Sequence, residues 1–191
     1  MVDNGGFTID GEPASTYGIT LMYAPGQPML PGTRDRTVEI PGRAGVYWFD
    51  SDIGPRTFSL PCQFQGAADS VALDVLIRTF ARVLVHVHGR PRTLEIEFDD
   101  CPGYKYLVRY NGQIPFDRAW VGCSDFTLEL IADDPYAYEP EDETEATITT
   151  SGETMTVTST GNVGTPAKIC ITNNGANPIV GFTIEMRHEV Y

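Results

Sequence analysis

The stretch "RTFSLPCQFQGAADSVALDVLIRTFARVLV" spans residues 56–85 and changes its hydrophobic period half-way. In the first part Phe58, Leu60, Cys62 and Phe64 recur at every second position, which places them on one face of a strand. Beyond Gly66 the period lengthens. Leu73, Leu76, Ile77, Phe80 and Leu84 follow i, i+3, i+4, i+7 and i+11 spacing, a single apolar stripe on a helix over about 69–85. Asp69 or Ser70 can accept hydrogen bonds from its first amides, while Asp74, Arg78 and Arg82 lie four apart on another face. A half-buried strand running into a one-striped helix predicts a sheet with a helix laid over it.

Reading outward from this pair, the remaining segments up to about residue 135 are β-like. Short apolar clusters at 7–9 and 17–23 are bounded by Gly and Pro. "APGQPMLPGTR" (24–34) is a solvent-facing loop. In "RTVEI" (36–40) Val38 and Ile40 alternate with Thr37 and Glu39, which predicts one buried face. "PGRAG" (41–45) breaks that strand and "VYWF" (46–49) resumes it. Beyond the helix, "RTLEIEF" (92–98), "YKYLVRYNGQI" (104–114) and "CSDFTLELIA" (123–132) alternate with period two. "DDCPG" (99–103) is turn material, and "YNGQ" (110–113) carries the Asn-Gly signal of a tight hairpin. The fold class is therefore α+β, mainly β: antiparallel sheets, or a sandwich, with one covering helix.

The chain has 191 residues, the upper end of one ordinary domain or one domain with an addition. "DDPYAY" (133–138) ends the first domain, at 1–138. "EPEDETE" (139–145) holds five acids in seven residues and suits an exposed acidic linker. Residues 146–191 alternate again, with strands expected near 146–150, 154–159, 166–172 and 179–187. Thr fills the polar positions of this short all-β segment. Four short strands are thin for an independent sandwich.

Net charge is −13, with two lysines (Lys105 and Lys168) and eleven arginines spread along the chain. Nucleic-acid binding needs clustered cations to displace counterions, so no nucleic-acid grip is expected. An acidic wall past which DNA slides without sticking agrees with this charge. Cys62, Cys101, Cys123 and Cys170 have long spacings and no CxxC pair, so free thiols are expected. "MVDNGGFTID" lacks the basic and apolar regions of a signal peptide, and nothing approaches the ~18 apolar residues of a membrane span. A soluble component without membrane insertion is expected.

Enzymatic patterns are sparse. His86 and His88, if extended, share a face and could chelate a metal, but no third ligand is in place. They read as surface histidines. Asp99-Asp100 and Asp133-Asp134 each precede a proline within two residues, where Asp caps turns. "GRAG" and "GNVG" are weak Gly pairs, and no GxSxG, HExxH or Walker pattern occurs. No catalytic, metal or cofactor residue is expected. A metal-dependent hydrolase using His86 and His88 is the enzymatic alternative. A glycan-binding module is another, although after residue 145 only Phe182 and Tyr191 are aromatic.

The ordered set of motifs resembles one family. Phe7, Ile9, Asp10 and Gly11 form F-x-I-D-G, followed by Gly18, Ile19 and Leu21 as GI-x-L and by "IPGRAG" at 40–45. Then come "RTFSL", the helix "LDVLIRTFARVL", the hairpin "YLVRYNGQI" and the closing "DDPYAY". Over about residues 5–140 this is similar to the distal tail proteins of siphoviruses, phages with long non-contractile tails. The resemblance implies a structural virion protein, made in the host cytoplasm. It implies a six-fold ring at the tail tip, docking the tail-tube protein on one face. The other face carries the hub and the fibre or receptor-binding proteins, and DNA leaves through the channel. It also implies a galectin-like outer module, for which residues 146–191 are short. Tail-tube and receptor-binding roles are the alternatives within the same setting. Arg and Trp concentrate at interface hot spots, which makes Arg43, Tyr47 and Trp48 candidate contact residues, with a core position for Trp48 as the competing reading.

Overall fold

The computed structural model describes residues 6–22, 28, 30–120, 122–140, 143–150, 153, 155–157, 168–178, 181 and 184, with backbone alone at 118–120. The chain divides into two compact units, Met1–Asp142 and Glu143–Tyr191.

In the first unit the strands are β1 (Phe7–Ile9), β2 (Glu12–Pro13), β3 (Ile19–Leu21), β4 (Thr33–Glu39), β5 (Val46–Ile53) and β6 (Arg56–Phe64). The helix α1 (Ser70–Leu84) follows, then β7 (Leu94–Phe98), β8 (Lys105–Tyr110), β9 (Phe116–Trp120) and β10 (Cys123–Ala132). A short 3-10 helix, Ala14–Tyr17, joins β2 to β3. Eight strands form one antiparallel sheet that curls into a half-barrel, in the order β2-β1-β7-β8-β10-β6-β3, with β9 also on β10. The remaining strands, β4 and β5, make a separate two-stranded sheet.

The sequence period sets the core. On β6 and β10 the register aligns Phe58 with Leu130, Leu60 with Leu128 and Cys62 with Phe126, so two alternating patterns share one buried face. Phe64 stacks on Phe126 at 4.6 Å between centroids. Phe80 of α1 meets both rings, at 6.0 and 6.2 Å. Leu73, Phe80 and Leu84 are the buried stripe of the helix, and Asp69 caps it by accepting the Ala72 N–H at 2.7 Å. The Cys62 thiol is buried among these groups, which pushes its pKa up to about 12, so it behaves as an apolar core residue.

The F-x-I-D-G motif has a local cause. Asp10 turns the chain with φ 52°, and its carboxylate accepts the Glu95 N–H at 2.9 Å and pairs with Arg92 at 2.7 Å. At the other end of β1, Asp99 accepts the Gly6 N–H at 2.7 Å. Two aspartates thus fix the register of β1 against β7.

Three expectations change. The Asn-Gly turn does not close a hairpin: β8 and β9 both pair with β10, at different points along it, and not with each other. Asn111 continues the β8 ladder by donating to the Glu129 carbonyl at 2.9 Å, so the chain overshoots before it turns. Nor does β4 have a buried face, because Val38 and Ile40 are about half exposed. Alternation predicts a buried face only where a second layer covers it, and among the described residues none covers β4–β5. Trp48, finally, is not a core residue.

In the second unit, the described residues within 146–150, 155–157 and 168–172 carry no strand pairing. The strand expected near 179–187 and the "GNVG" pair lie outside the described residues but for Gly181 and Ile184, as do 24–27 of the proline-rich loop. The local order described there is turn-like. Glu153 accepts the N–H groups of Thr149 and Thr150 at 2.6 and 3.2 Å, which lowers its pKa.

Candidate assembly surface

The β4–β5 hairpin gathers the three residues singled out from the sequence. Its ladder runs from Thr33 opposite Ile53 to Glu39 opposite Val46, with a bulge where Arg36 faces Asp50 and Thr37 faces Trp48. Phe49 is the extra residue of that bulge. An isolated two-stranded ladder is marginal in water, and polar side chains brace this one. On one face Arg36 grips Asp52 bidentately, at 2.9 and 2.8 Å. Elsewhere the Trp48 indole N–H donates to the Ser51 hydroxyl at 3.1 Å, and Ser51 donates to Asp35 at 2.5 Å.

Near the tip, the Arg43 guanidinium lies 4.2 Å over the Tyr47 ring. The Arg43 N–H donates to the Ile40 carbonyl at 3.1 Å, closing the turn of "IPGRAG". Arg43, Tyr47 and Trp48 are thus adjacent, and each aromatic ring is held by a polar contact. Trp48 is 61% exposed and the neighbouring Phe49 is 68% exposed. Val38, Ile40 and Val46 extend this exposed apolar surface along the hairpin. Tyr47 shares one face of the ladder with Val38 and Trp48 lies on the other, so both faces of the hairpin carry exposed apolar side chains.

Sequence reasoning passed over Phe49, Val46 and Ile53 as part of this patch. The signal for them was present. "VYWF" places large apolar residues on both faces of a strand, which a half-buried strand does not do.

The acidic pairs serve as turn caps and clasps. Asp133 holds Arg109 bidentately at 2.8 and 3.0 Å, and the guanidinium keeps the Asp133 carboxyl below its ordinary pKa. Asp134 accepts the Tyr136 N–H at 3.2 Å and the Tyr138 hydroxyl at 2.5 Å, which raises the pKa of the phenol. Tyr138 and Lys105 exchange backbone hydrogen bonds of 2.7 and 2.9 Å, so the end of "DDPYAY" is tied to the first residue of β8. A hydrogen bond with Glu139 likewise raises the Tyr104 phenol pKa. The acidic run beginning at Glu139 therefore leaves from a fixed point on the sheet.

His86 and His88 do meet, their rings stacked 5.1 Å apart on the turn after α1. The turn is closed by the His86 N–H to the Arg90 carbonyl and the Gly89 N–H to the His86 carbonyl, each 2.8 Å. Among the described residues, no three His, Cys, Asp or Glu side chains are grouped as metal ligands would be. No described helix is long and apolar enough to cross a membrane.

Comparison with known proteins agrees with this architecture. No curated protein matches the sequence. Among solved structures, the chain is similar to the SPP1 Dit (gp 19.1) protein, whose crystal structure is described as a paradigm of the hub adsorption apparatus in phages infecting Gram-positive hosts. The TM-score is 0.60 at 18% identity, over 71% of this chain and 52% of that one, so the chain spans about half the length of that relative. Residues 13–132, from β2 to the last residue of β10, match the family described as phage tail protein RIFT-related domain. The chain belongs to that siphovirus tail family and has the fold of a distal tail protein.

Proposed function

We propose that this tail protein is a ring adaptor at the tail tip. Six copies close a ring that joins the tail-tube protein on one face to the hub and the receptor-binding apparatus on the other. DNA passes through its lumen without specific binding. The protein is made in the host cytoplasm and ends in the virion, and its role is structural, with no catalysis.

One observation carries this reading: the β4–β5 hairpin exposes Tyr47, Trp48 and Phe49, with the Tyr47 ring under Arg43 and the Trp48 ring tied to Ser51. Desolvating such a patch against a neighbour favours association, and fixed rings lose little entropy on binding. The open ends of the eight-stranded sheet, β2 and β3, support it too, because symmetric closure can satisfy strand edges. A net charge of −13 suits a channel that must not hold DNA. Residues 1–138 are the ring-building part of this proposal. Residues 139–145 are the linker and 146–191 an outer module.

Native mass and negative-stain images of the purified chain test it. A closed species of six times 21.0 kDa, about 126 kDa, with a central hole is the expected result. Open-ended tubes would replace the adaptor with a tail-tube role. A monomer at every concentration, alone and with tail-tube protein, would overturn it.

A further inference from the structure

Between Asp74 and Glu95 the chain contains no acidic residue, although acids outnumber Lys and Arg by 26 to 13 overall. Within that interval stand Arg78, Arg82, Arg90 and Arg92, with His86 and His88. The fold brings them to one end of α1 and its following turn. Val71, Val75, Arg78 and Arg82 follow i, i+4, i+7 and i+11 spacing, which makes them one stripe on the outward side of the helix. Val71 is 69% and Val75 58% exposed, and the arginines are exposed with them.

Four other cations of the first unit are ion-paired: Arg36 to Asp52, Lys105 to Glu95, Arg109 to Asp133 and Arg92 to Asp10. Arg78, Arg82 and Arg90 have no ion pair among the described residues. The acids nearest in sequence or contact are Asp74, one turn before Arg78, and Asp10 on Arg92. An exposed apolar-then-basic stripe on a strongly acidic molecule calls for an acidic occupant.

The chain carries such a segment itself, the "EPEDETE" run at 139–145, which leaves from the Tyr138–Lys105 clasp. We infer that the acidic linker of one copy lies on the Arg78–Arg82–Arg90 face of the next copy. The contact is head-to-tail, because the two surfaces differ, and repeated contacts of this kind close a ring when the rotation allows. Charge complementarity would fix the direction and register of neighbours, while the aromatic hairpin supplies the apolar contact. This rests on the ring reading above and adds the linker to its interface.

The test uses the full chain and sedimentation velocity at low and high salt. Arg82→Glu/Arg90→Glu and, separately, Glu143→Arg/Glu145→Arg are each expected to weaken assembly about tenfold at low salt, with the difference shrinking as salt rises. Mixing the two variants in equal amounts is expected to restore assembly. In alternating order every acidic linker then meets a basic face and every basic linker an acidic one. Docking of the linker on its own chain would not be rescued by mixing, and that result overturns the inference. So does a ring indifferent to both variants, which leaves the ring reading standing. Loss with the arginine variant alone would give the basic face a different occupant and also overturn it. A wild-type chain that never assembles, alone or with tail-tube protein, removes both readings together.

Discussion

β10 and β5 are both antiparallel strands rich in large apolar side chains, yet Leu128 is 0% exposed and Trp48 is 61% exposed. The difference lies in what covers them. β10 sits between β6 and β8, with Phe80 of α1 over Phe126, so each alternate residue finds a second layer. β5 pairs only with β4. Its apolar side chains stay about half exposed or more in the single chain, and the proposed assembly would cover them. Similar local chemistry is thus buried in one strand and exposed in the other, and on the ring proposal the exposed strand serves association.

The sharpest way to break this comparison is to truncate one residue in each strand. Leu128→Ala is expected to destabilise the chain by about 2–5 kcal/mol in urea unfolding, through lost burial and a cavity. Trp48→Ala is expected to change stability by less than about 0.5 kcal/mol and to weaken assembly in sedimentation. Equal stability losses would mean the hairpin is packed after all.

A second comparison uses turns. At Gly122, before β10, φ is +85° and an added Cβ would stand 2.2 Å from the Ala67 carbonyl oxygen. Gly122→Ala therefore combines backbone strain of about 1–3 kcal/mol with a clash against a main-chain atom. Gly45, in the hairpin tip, has the same φ with nothing within 4 Å of that Cβ. Gly45→Ala is expected to cost only the conformational strain, about 1–2 kcal/mol. Thermal unfolding of the pair should rank Gly122→Ala clearly below Gly45→Ala.

The smallest effect concerns pH. Arg109 lowers the Asp133 carboxyl pKa in the folded chain below its ordinary 3.8. A depressed folded pKa gives stability that is present above the ordinary value and is lost as pH falls through the folded one. Asp133→Asn should therefore lower the neutral plateau slightly, because the pair is exposed, and leave stability at low pH unchanged, so that the acid limb flattens by the same small amount. A loss of stability at low pH with an unmoved neutral plateau would contradict this.

Much of the sheet and the helix was legible in the sequence, because β6, β7, β10 and α1 each bury one face and so keep a clean period. Of the acid pairs only Asp134 makes the local turn contact that Asp before Pro suggests, while Asp99 reaches Gly6 and Asp133 reaches Arg109, partners that sequence spacing does not reveal. The exposure of Val38 and Ile40 was not legible. Val38 and Ile40 alternate just as core residues do, and period reports only that two faces differ, not that anything lies over one of them. The β9 pairing was hidden for a related reason. Asn-Gly marks a turn, but which strand takes the returning chain depends on β10, whose length offers ladder to both β8 and β9. The candidate contact residues Arg43, Tyr47 and Trp48 lie close together on one hairpin, while Phe49 was passed over although the run "VYWF" carries its signal.

Amide hydrogen exchange of the β4–β5 hairpin, measured in the single chain and in the assembled species, tests the central claim most directly. The account predicts fast exchange over 33–53 in the single chain, strong protection on assembly, and no change in β10, which is already protected. Hairpin amides that exchange equally fast in both states would contradict it, since the exposed aromatic surface would then have no partner in the assembly.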